Sequence, residues 1–506
     1  MSRAIGIDSI GVYVPRLYVD LTGEWARVRA RTLADGDVQK LVGKVTGGIG
    51  VRRMAIADAH QDCATMAAMA AKRAIDTARI DPREIDYLAV GTETTVDQSK
   101  SIGAYVLGML ERHYGVSLAG VGAPQFQFAC IGATYALEAA VSRIRAGDNT
   151  KPYALVIASD ISKYPLGTSG EYTQGAGAVA LLVSENPRVI ELEAGVTGTV
   201  TRDERDFFRP NWSPVAVVDG KYSIDVYLDC MEAAFESYAR AATRNGDGSL
   251  EPDSLEHFLF HVPFPRMAEY AAVRVFTKLW LAHPKTRGAL LAEVPELAGE
   301  SSSVERLSRK DLERAVAKSA FFRDAFARRV EPSLVLSRDI GNMYSGSLYL
   351  ALCSLLEHRS GDDLAGRRVL LGSYGSGASA KVMSGTFSKE CQAIARVMHV
   401  ADDLRAESEG GSRVPLTMAE YESLHALSDC EIDLEDRVAQ KVRDGCALEA
   451  AEVVMLRRAL ERPQWRVRSR GRSVRAPKGE FALEHLGTES SPQKTDVGYR
   501  YYAWVP

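Results

Sequence analysis

The chain has 506 residues, of which 46% are hydrophobic and 25% charged; that is enough apolar material for two sizeable cores and excludes a disordered or fibrous protein. Its 62 Lys and Arg nearly balance 66 Asp and Glu, so a formal net charge of −4 supplies no global field towards nucleic acid or an anionic membrane. Seven scattered cysteines, at 63, 130, 230, 353, 391, 430 and 446, form no Cys-x-x-Cys pair, which fits reduced thiols in a cytoplasmic enzyme better than a disulfide framework or a zinc site.

The amino terminus, MSRAIGIDSIGVYVP, has no long apolar run, and no stretch reaches the roughly 18 uninterrupted apolar residues of a membrane span, so neither a leader nor a membrane anchor is expected. CATMAAMAAKRAIDTAR (63–79) carries a helical pattern. IDYLAVGTET (85–94), YALVIASD (153–160) and AVALLVSE (178–185) are short apolar runs of buried strands. Between them QFQFACIGATYALEAAVSRIRAG (125–147) passes from an alternating run to an amphipathic helix, with Cys130 at the junction.

The later half repeats this α/β style. HFLFHVPF (257–264) and RVLLGSYGSG (368–377) read as strands ending in loops, with SGSLYLALCSLLEH (345–358) as a helix between them. Residues 284–335 read as polar helices joined by a serine-rich turn, a surface insertion. Beyond about 390 the chain turns charged and helical and then reaches RPQWRVRSRGRSVRAPKGE (462–480), whose five arginines at 466, 468, 470, 472 and 475 read as the solvated face of an edge strand.

In open α/β sheets ligands gather at the carboxyl ends of strands, which directs attention to residues just past the apolar runs. A thiol at the first turn of a helix sits in the positive end of the helix dipole, which predicts a lowered pKa and a thiolate at Cys130. Placement alone fits a buried core cysteine as well. Glu93 in VGTETTVDQSKS, His261 in FHVPFPRM, Asn342 in DIGNMYSGS and the glycine turn GSYGSG (372–377) are each weak signals alone, since such a glutamate is usually a solvated loop residue, such a histidine more often a satisfied structural one and such a sequence most often a plain turn.

Together and in this order these motifs resemble the 3-hydroxy-3-methylglutaryl-CoA (HMG-CoA) synthase family of the thiolase superfamily. The resemblance begins at IGIDSIGVYVPRLYVD (5–20), runs through ALVIASDISKY, GEYTQGAGAVALLV, DFFRP, VDGKYS and GNMYSGSLYLALCSLLE, and fades after about 390, with SRVPLTMAEYESLHAL (412–427) still similar. It implies a thiolase-like duplicated αβαβα five-layer fold: a first half at 1–186, a second at 187–400, and a charged helical extension at 401–506 completing or decorating the second half. It also implies a homodimer and a ping-pong condensation. Cys130 takes an acetyl group from a thioester, Glu93 removes a methyl proton, and the resulting carbon attacks the ketone of an acetoacetyl thioester while His261 supports the acceptor and the developing alkoxide.

The residue types suit that chemistry, since a thiolate exchanges readily with a thioester and a carboxylate of raised pKa contributes about 10²- to 10⁴-fold as a general base. Oxyanions need fixed donors, for which the backbone N–H of Cys130 and of the turn at Ser373 are expected. Asn342 matches a hydrogen-bonding partner of the acceptor; Tyr164, Asp160 and Asp219 match polar positions lining the family's site, although Asp160 and Asp219 suit a buried structural role equally well. Neither a metal nor a resident cofactor is expected beyond the CoA or phosphopantetheine thioesters that serve as substrates, because clustered metal ligands and phosphate-binding glycine motifs are not found.

Two departures bear on the substrate. Phe128-Ala129-Cys130-Ile131 replaces the usual surroundings of the cysteine, and after His261 the stretch PFPRMAEYAAVR offers Arg266 but Glu269 and Tyr270 where further lysines hold CoA phosphates in relatives. The main expectation is condensation of acetyl-CoA with acetoacetyl-CoA, as in the mevalonate route. The alternatives are the same chemistry on acyl-carrier-protein-bound groups, as in polyketide β-branching, and a silent thiolase-like scaffold.

Overall fold

The computed structural model describes residues 3–210, 213, 215–243, 250–298, 308–361, 363–426, 447, 477–486 and 499–506. Nine strands join into one hydrogen-bonded system: β1 (Ile5–Tyr13), β2 (Ile85–Gly91), β3 (Gln125–Phe126), β4 (Tyr153–Ile161), β5 (Ala176–Glu185), β6 (Ile190–Thr201), β7 (His257–Phe260), β8 (Arg368–Gly375) and β9 (Ser379–Phe387). Their spatial order is β7-β8-β9-β6-β1-β5-β4-β2-β3. The segments β1-β5-β4-β2 and β6-β9-β8-β7 repeat one topology, in which the first, fourth and third strands are antiparallel neighbours and the second lies parallel to the third. β6 joins the halves by pairing with β1 only at Gly6↔Glu191 and Ile7↔Ile190.

Strands buried on both faces require helices on both, and these are present. Helices α3 (Gly132–Ala146) and α6 (Ser347–His358) form the central layer, in one apolar cluster with Ile5, Ile7, Val156, Leu181, Val369 and Leu371 of the sheet. On one outer face lie α1 (Cys63–Ala78) and α2 (Ile102–Tyr114); on the other, α4 (Gly220–Ala242) and α5 (Pro265–Ala282). The result is the duplicated αβαβα arrangement. α1 starts where it does because Asp62 accepts bonds from Ala64 N and Thr65 N, both at 2.9 Å, while Thr65 Oγ1 accepts from Asp62 N, a reciprocal cap that satisfies otherwise orphaned donors.

The structure corrects two expectations for the peripheral segments. In 284–335 the helices Pro284–Glu293, Arg309–Lys318 and Ala320–Arg329 bury Leu290, Val316 and Phe322 against Phe276 and Trp280 of α5, so this stretch extends the second core rather than lying on it as a polar insertion. The described part of 401–506 is not simply charged and helical, and it packs largely on the first half, with Ala401 N and Arg413 Nη1 donating to Glu357 and to Asp339 O of the second. Val414–Pro415 adds a parallel strand to Leu17–Asp20, and Tyr421 joins the cluster of Trp25 and Tyr172. The hairpin Glu480–Leu486 with Arg500–Val505 covers α1 and α2, with Tyr502 OH and Arg500 Nη1 both bonded to Asp62. The arginines at 466–475 lie outside the described residues. Among the described residues no helix is long and apolar enough to cross a membrane.

Candidate active site

β2 ends at Gly91, and a Cβ there would stand 2.1 Å from Ala133 N, so only glycine lets this strand end touch the first turn of α3. The next residues, Thr92, Glu93 and Thr94, are held by Asp160 at the end of β4. Its Oδ1 accepts from Thr92 Oγ1 (2.8 Å), Glu93 N (2.9 Å) and Thr94 N (3.0 Å); its Oδ2 accepts from Ser345 N (3.0 Å) and Ser345 Oγ. Asp160 is fully buried; burial raises its pKa, and the bonds from Ser345 and Thr92 oppose the rise.

Cys130 stands in a tight turn. Ala129 adopts a left-handed φ of 39°, rare for a residue with a Cβ, and Ile131 N donates to Phe128 O at 3.1 Å. Gly375 of β8 presses on this turn from the second half, where a Cβ would meet Ile131 N at 2.8 Å. The thiol donates to Glu93 Oε2 at 3.5 Å and packs with Tyr164, Phe207 and Tyr344, whose rings meet edge to face at 6.2–6.5 Å.

These contacts reverse one expectation. The Cys130 thiol is pushed well above its usual pKa, first by burial and then by the negative charge of Glu93, so desolvation and a like charge outweigh the helix dipole and the resting form is the thiol. Glu93 is itself pushed up to about 8, chiefly by burial; the Arg209 guanidinium pulls the other way and Asp160 adds to the rise. Arg209 Nη2 donates to Glu93 Oε1 at 2.9 Å and Nη1 to the Glu93 carbonyl at 3.3 Å.

His261 follows β7 directly. Its N–H donates to Gly372 O at 2.7 Å, its carbonyl accepts from Tyr227 OH at 2.9 Å, and its ring lies 6.4 Å from that of Tyr374. Because Tyr374 adjoins Gly375, the carboxyl end of β8 stands between His261 and the cysteine turn. The ring is 1% exposed, and burial lowers its pKa to about 3, so the imidazole is neutral. Asn342 Oδ1 accepts from Tyr344 N (2.8 Å) and Ser347 Oγ (2.9 Å), which places it two residues from the tyrosine that packs on Cys130.

Two family models match consecutive stretches of the chain, hydroxymethylglutaryl-coenzyme A synthase N terminal over residues 1–188 and C terminal over residues 190–431. This chain belongs to the HMG-CoA synthase family. It is 33% identical to the hydroxymethylglutaryl-CoA synthase of Haloferax volcanii over 447 residues, 85% of this chain and 93% of that one. The structure of MvaS in complex with 3-hydroxy-3-methylglutaryl coenzyme A superposes with a TM-score of 0.75 at 32% identity, covering all of both chains. The curacin biosynthetic pathway HMG synthase in complex with acetyl donor-ACP superposes with a TM-score of 0.68 at 25% identity, covering 99% of this chain and 100% of that one.

In this HMG-CoA synthase family member the structure brings Glu93, Cys130, Asp160 and Tyr164 together, with His261 and Asn342 on adjoining segments. Three expected residues stand apart. Ser373 is not in a flexible turn: it pairs with Lys381 inside β8, and its hydroxyl meets Thr134 Oγ1 of α3 at 2.7 Å, so it ties helix to sheet. Asp219 is an exposed helix cap that accepts from Tyr222 N at 3.2 Å and starts α4. Arg266 is engaged by Glu269 and by Gly47 O at 2.8 Å, which leaves a smaller part of its guanidinium for a phosphate. The residues missed from sequence are Arg209, Phe207 and Tyr344; DFFRP and GNMYSGS contain all three, but only the fold shows that they meet Glu93 and Cys130. Among the described residues no group of three or more His, Cys, Asp and Glu side chains is arranged to hold a metal ion.

Proposed function

We propose that this chain condenses acetyl-CoA with acetoacetyl-CoA to give HMG-CoA through an acetyl-Cys130 intermediate. The observation that carries the reading is the buried Cys130 thiol bonded to Glu93 Oε2 at 3.5 Å, at the meeting of β2 and α3. The Cys130 sulfur attacks the acetyl thioester, and the thiol proton leaves on the departing carrier thiolate. Glu93, as a carboxylate, then takes a proton from the acetyl methyl. The new carbon–carbon bond forms at the ketone of the acceptor, and the proton ends on the resulting alkoxide. A neutral His261 N–H serves as hydrogen-bond donor to that oxygen rather than as a cationic acid. Water then cleaves the product thioester from Cys130, leaving a free carboxylate and regenerating the thiol.

Asp160 orients Glu93, and Asn342 is assigned to the acceptor. The same reading divides the chain into halves at 1–186 and 187–400 and makes it a cytoplasmic homodimer, which sedimentation of the purified enzyme tests. For the mechanism the test is intact mass after mixing with acetyl-CoA. One acetyl group is expected on the wild type and none on Cys130→Ala; acetylation that survives the substitution overturns the covalent step. Glu93→Ala should still acetylate and fail to condense, and His261→Ala should lose most in the acceptor half-reaction.

The engagement of Arg266 by Glu269 and Gly47 favours a second reading, in which a carrier protein rather than CoA presents the acyl groups. Rates with acetoacetyl-CoA and with acetoacetyl carrier protein, measured side by side, decide between them.

A further inference from the structure

We propose that Arg209 is a positioning residue that holds Glu93 as an oriented carboxylate beside Cys130 and thereby sets the pH range of the condensation. The proposal rests on the assignment of Glu93 as the base. The two carboxylate oxygens of Glu93 serve different partners: Oε2 accepts from the Cys130 thiol at 3.5 Å, and Oε1 from Arg209 Nη2 at 2.9 Å. The second arm of the same guanidinium, Nη1, reaches the Glu93 carbonyl at 3.3 Å, so one planar group fixes side chain and backbone together. With Oε1 held, Oε2 stays turned to the thiol, which is where the methyl of an acetyl group on Cys130 would lie.

The placement of Arg209 is itself built. It follows Phe207, which packs on Cys130, and its guanidinium lies 6.0 Å from the ring centroid of Tyr344. The preceding segment is anchored by Asp206, fully buried, whose carboxylate accepts from Gly377 N (3.0 Å), Ser223 Oγ (2.9 Å) and Tyr374 OH (3.3 Å). The second half thus delivers a cation to the base carried by the first half, across 116 residues of sequence.

The groups that act on Glu93 are of mixed sign. Asp160 on β4 opposes its ionisation, the Cys130 thiol and Arg209 favour it, and the phenols of Tyr164 and Tyr344 lie close by. Among the described residues Arg209 is the one cation paired with Glu93. Without it, a buried carboxyl beside another acid stays protonated to higher pH, and a protonated carboxyl cannot take a proton from the methyl group.

The experiment compares full-length wild type with Arg209→Met, Arg209→Gln and Arg209→Lys, measuring acetylation by intact mass and condensation by loss of acetoacetyl-CoA across about pH 6 to 10. Arg209→Met and Arg209→Gln should acetylate, and the ascending limb of their kcat profile should move to higher pH by about one unit or more, read as about a tenfold loss at neutral pH that is recovered in alkali. Arg209→Lys should restore the limb part-way, because it keeps the charge and loses the fork. A limb unmoved in whichever of the Met and Gln variants keeps the wild-type melting temperature, with any loss equal at every pH, overturns the proposal. A wild type that fails to acetylate or condense sinks the proposed function instead, so the two failures are distinct.

Discussion

Asp160→Asn isolates the clamp that carries Glu93. The wild-type carboxylate accepts three bonds on Oδ1 and two on Oδ2, all but the one from Thr94 N from buried residues. An asparagine keeps its oxygen on the side of Thr92, Glu93 and Thr94 and turns its NH2 towards Ser345. The Ser345 hydroxyl can accept from that NH2 and keep its bond to Gly91 O, at 2.9 Å in the wild type, but the Ser345 N–H is left without an acceptor. A buried unsatisfied donor costs about 1–3 kcal/mol, and loss of charge assistance in the remaining bonds adds to it, while removal of a desolvated charge offsets part. A net loss of about 2 kcal/mol is expected, seen as a lowered thermal midpoint. Repulsion at Ser345 displaces the Glu93 loop, and a shift of about 1 Å at a reacting group is worth about 10²-fold in rate. Condensation should therefore fall by that order. Acetylation should hold or improve, because the Asp160 charge raises the Cys130 thiol pKa in the wild type. The assay is intact-mass acetylation beside acetoacetyl-CoA consumption on the same preparation. Equal loss in both half-reactions, or wild-type condensation in a variant of lowered stability, refutes the assignment of Asp160 as the orienter of Glu93.

With Glu93 at about 8, its carboxylate fraction rises about tenfold between pH 7 and pH 9, and the condensation rate should rise with it; a flat profile over that range contradicts the role of Glu93 as base. His261 is depressed to about 3 from an ordinary 6.5, so the unfolded chain binds the extra proton. Its contribution to stability is complete above 6.5 and is lost as pH falls towards 3, at up to about 1.4 kcal/mol per unit, so His261→Gln should melt with a shallower acid limb than the wild type. Gly91→Ala would set a Cβ 2.1 Å from Ala133 N and 2.2 Å from its Cα, a backbone clash that cannot relax by a rotamer change. A loss of about 2–3 kcal/mol and of both half-reactions is expected, whereas Gly122→Ala, whose nearest neighbour would be Tyr87 at 3.5 Å, should behave as wild type.

What the sequence determined by itself is what is local in origin. The strands from 85, 153, 178 and 368 were legible as apolar runs, and α1, α3 and α6 as helical patterns, because two-sided burial and helical periodicity are written into consecutive residues. Glu93, Cys130 and His261 stood out because each directly follows a strand-like run, and their order matched a family. The tertiary structure alone decided what depends on distance between remote residues. The ionisation of Cys130 turned on burial and on a carboxylate 37 positions away, so the helix terminus misled. Ser373 reads as part of a glycine turn until its pairing with Lys381 is known, and Asp219 reads as a pocket residue until it is found capping α4. The described hairpin of the tail packs on the first half because Phe481 and Tyr502 join the apolar cluster of α1 and α2. Arg209 could be quoted within DFFRP, but a cation acts on a carboxylate through space, with an energy that falls with separation and rises with burial, and neither quantity exists until the two halves of the chain are folded together.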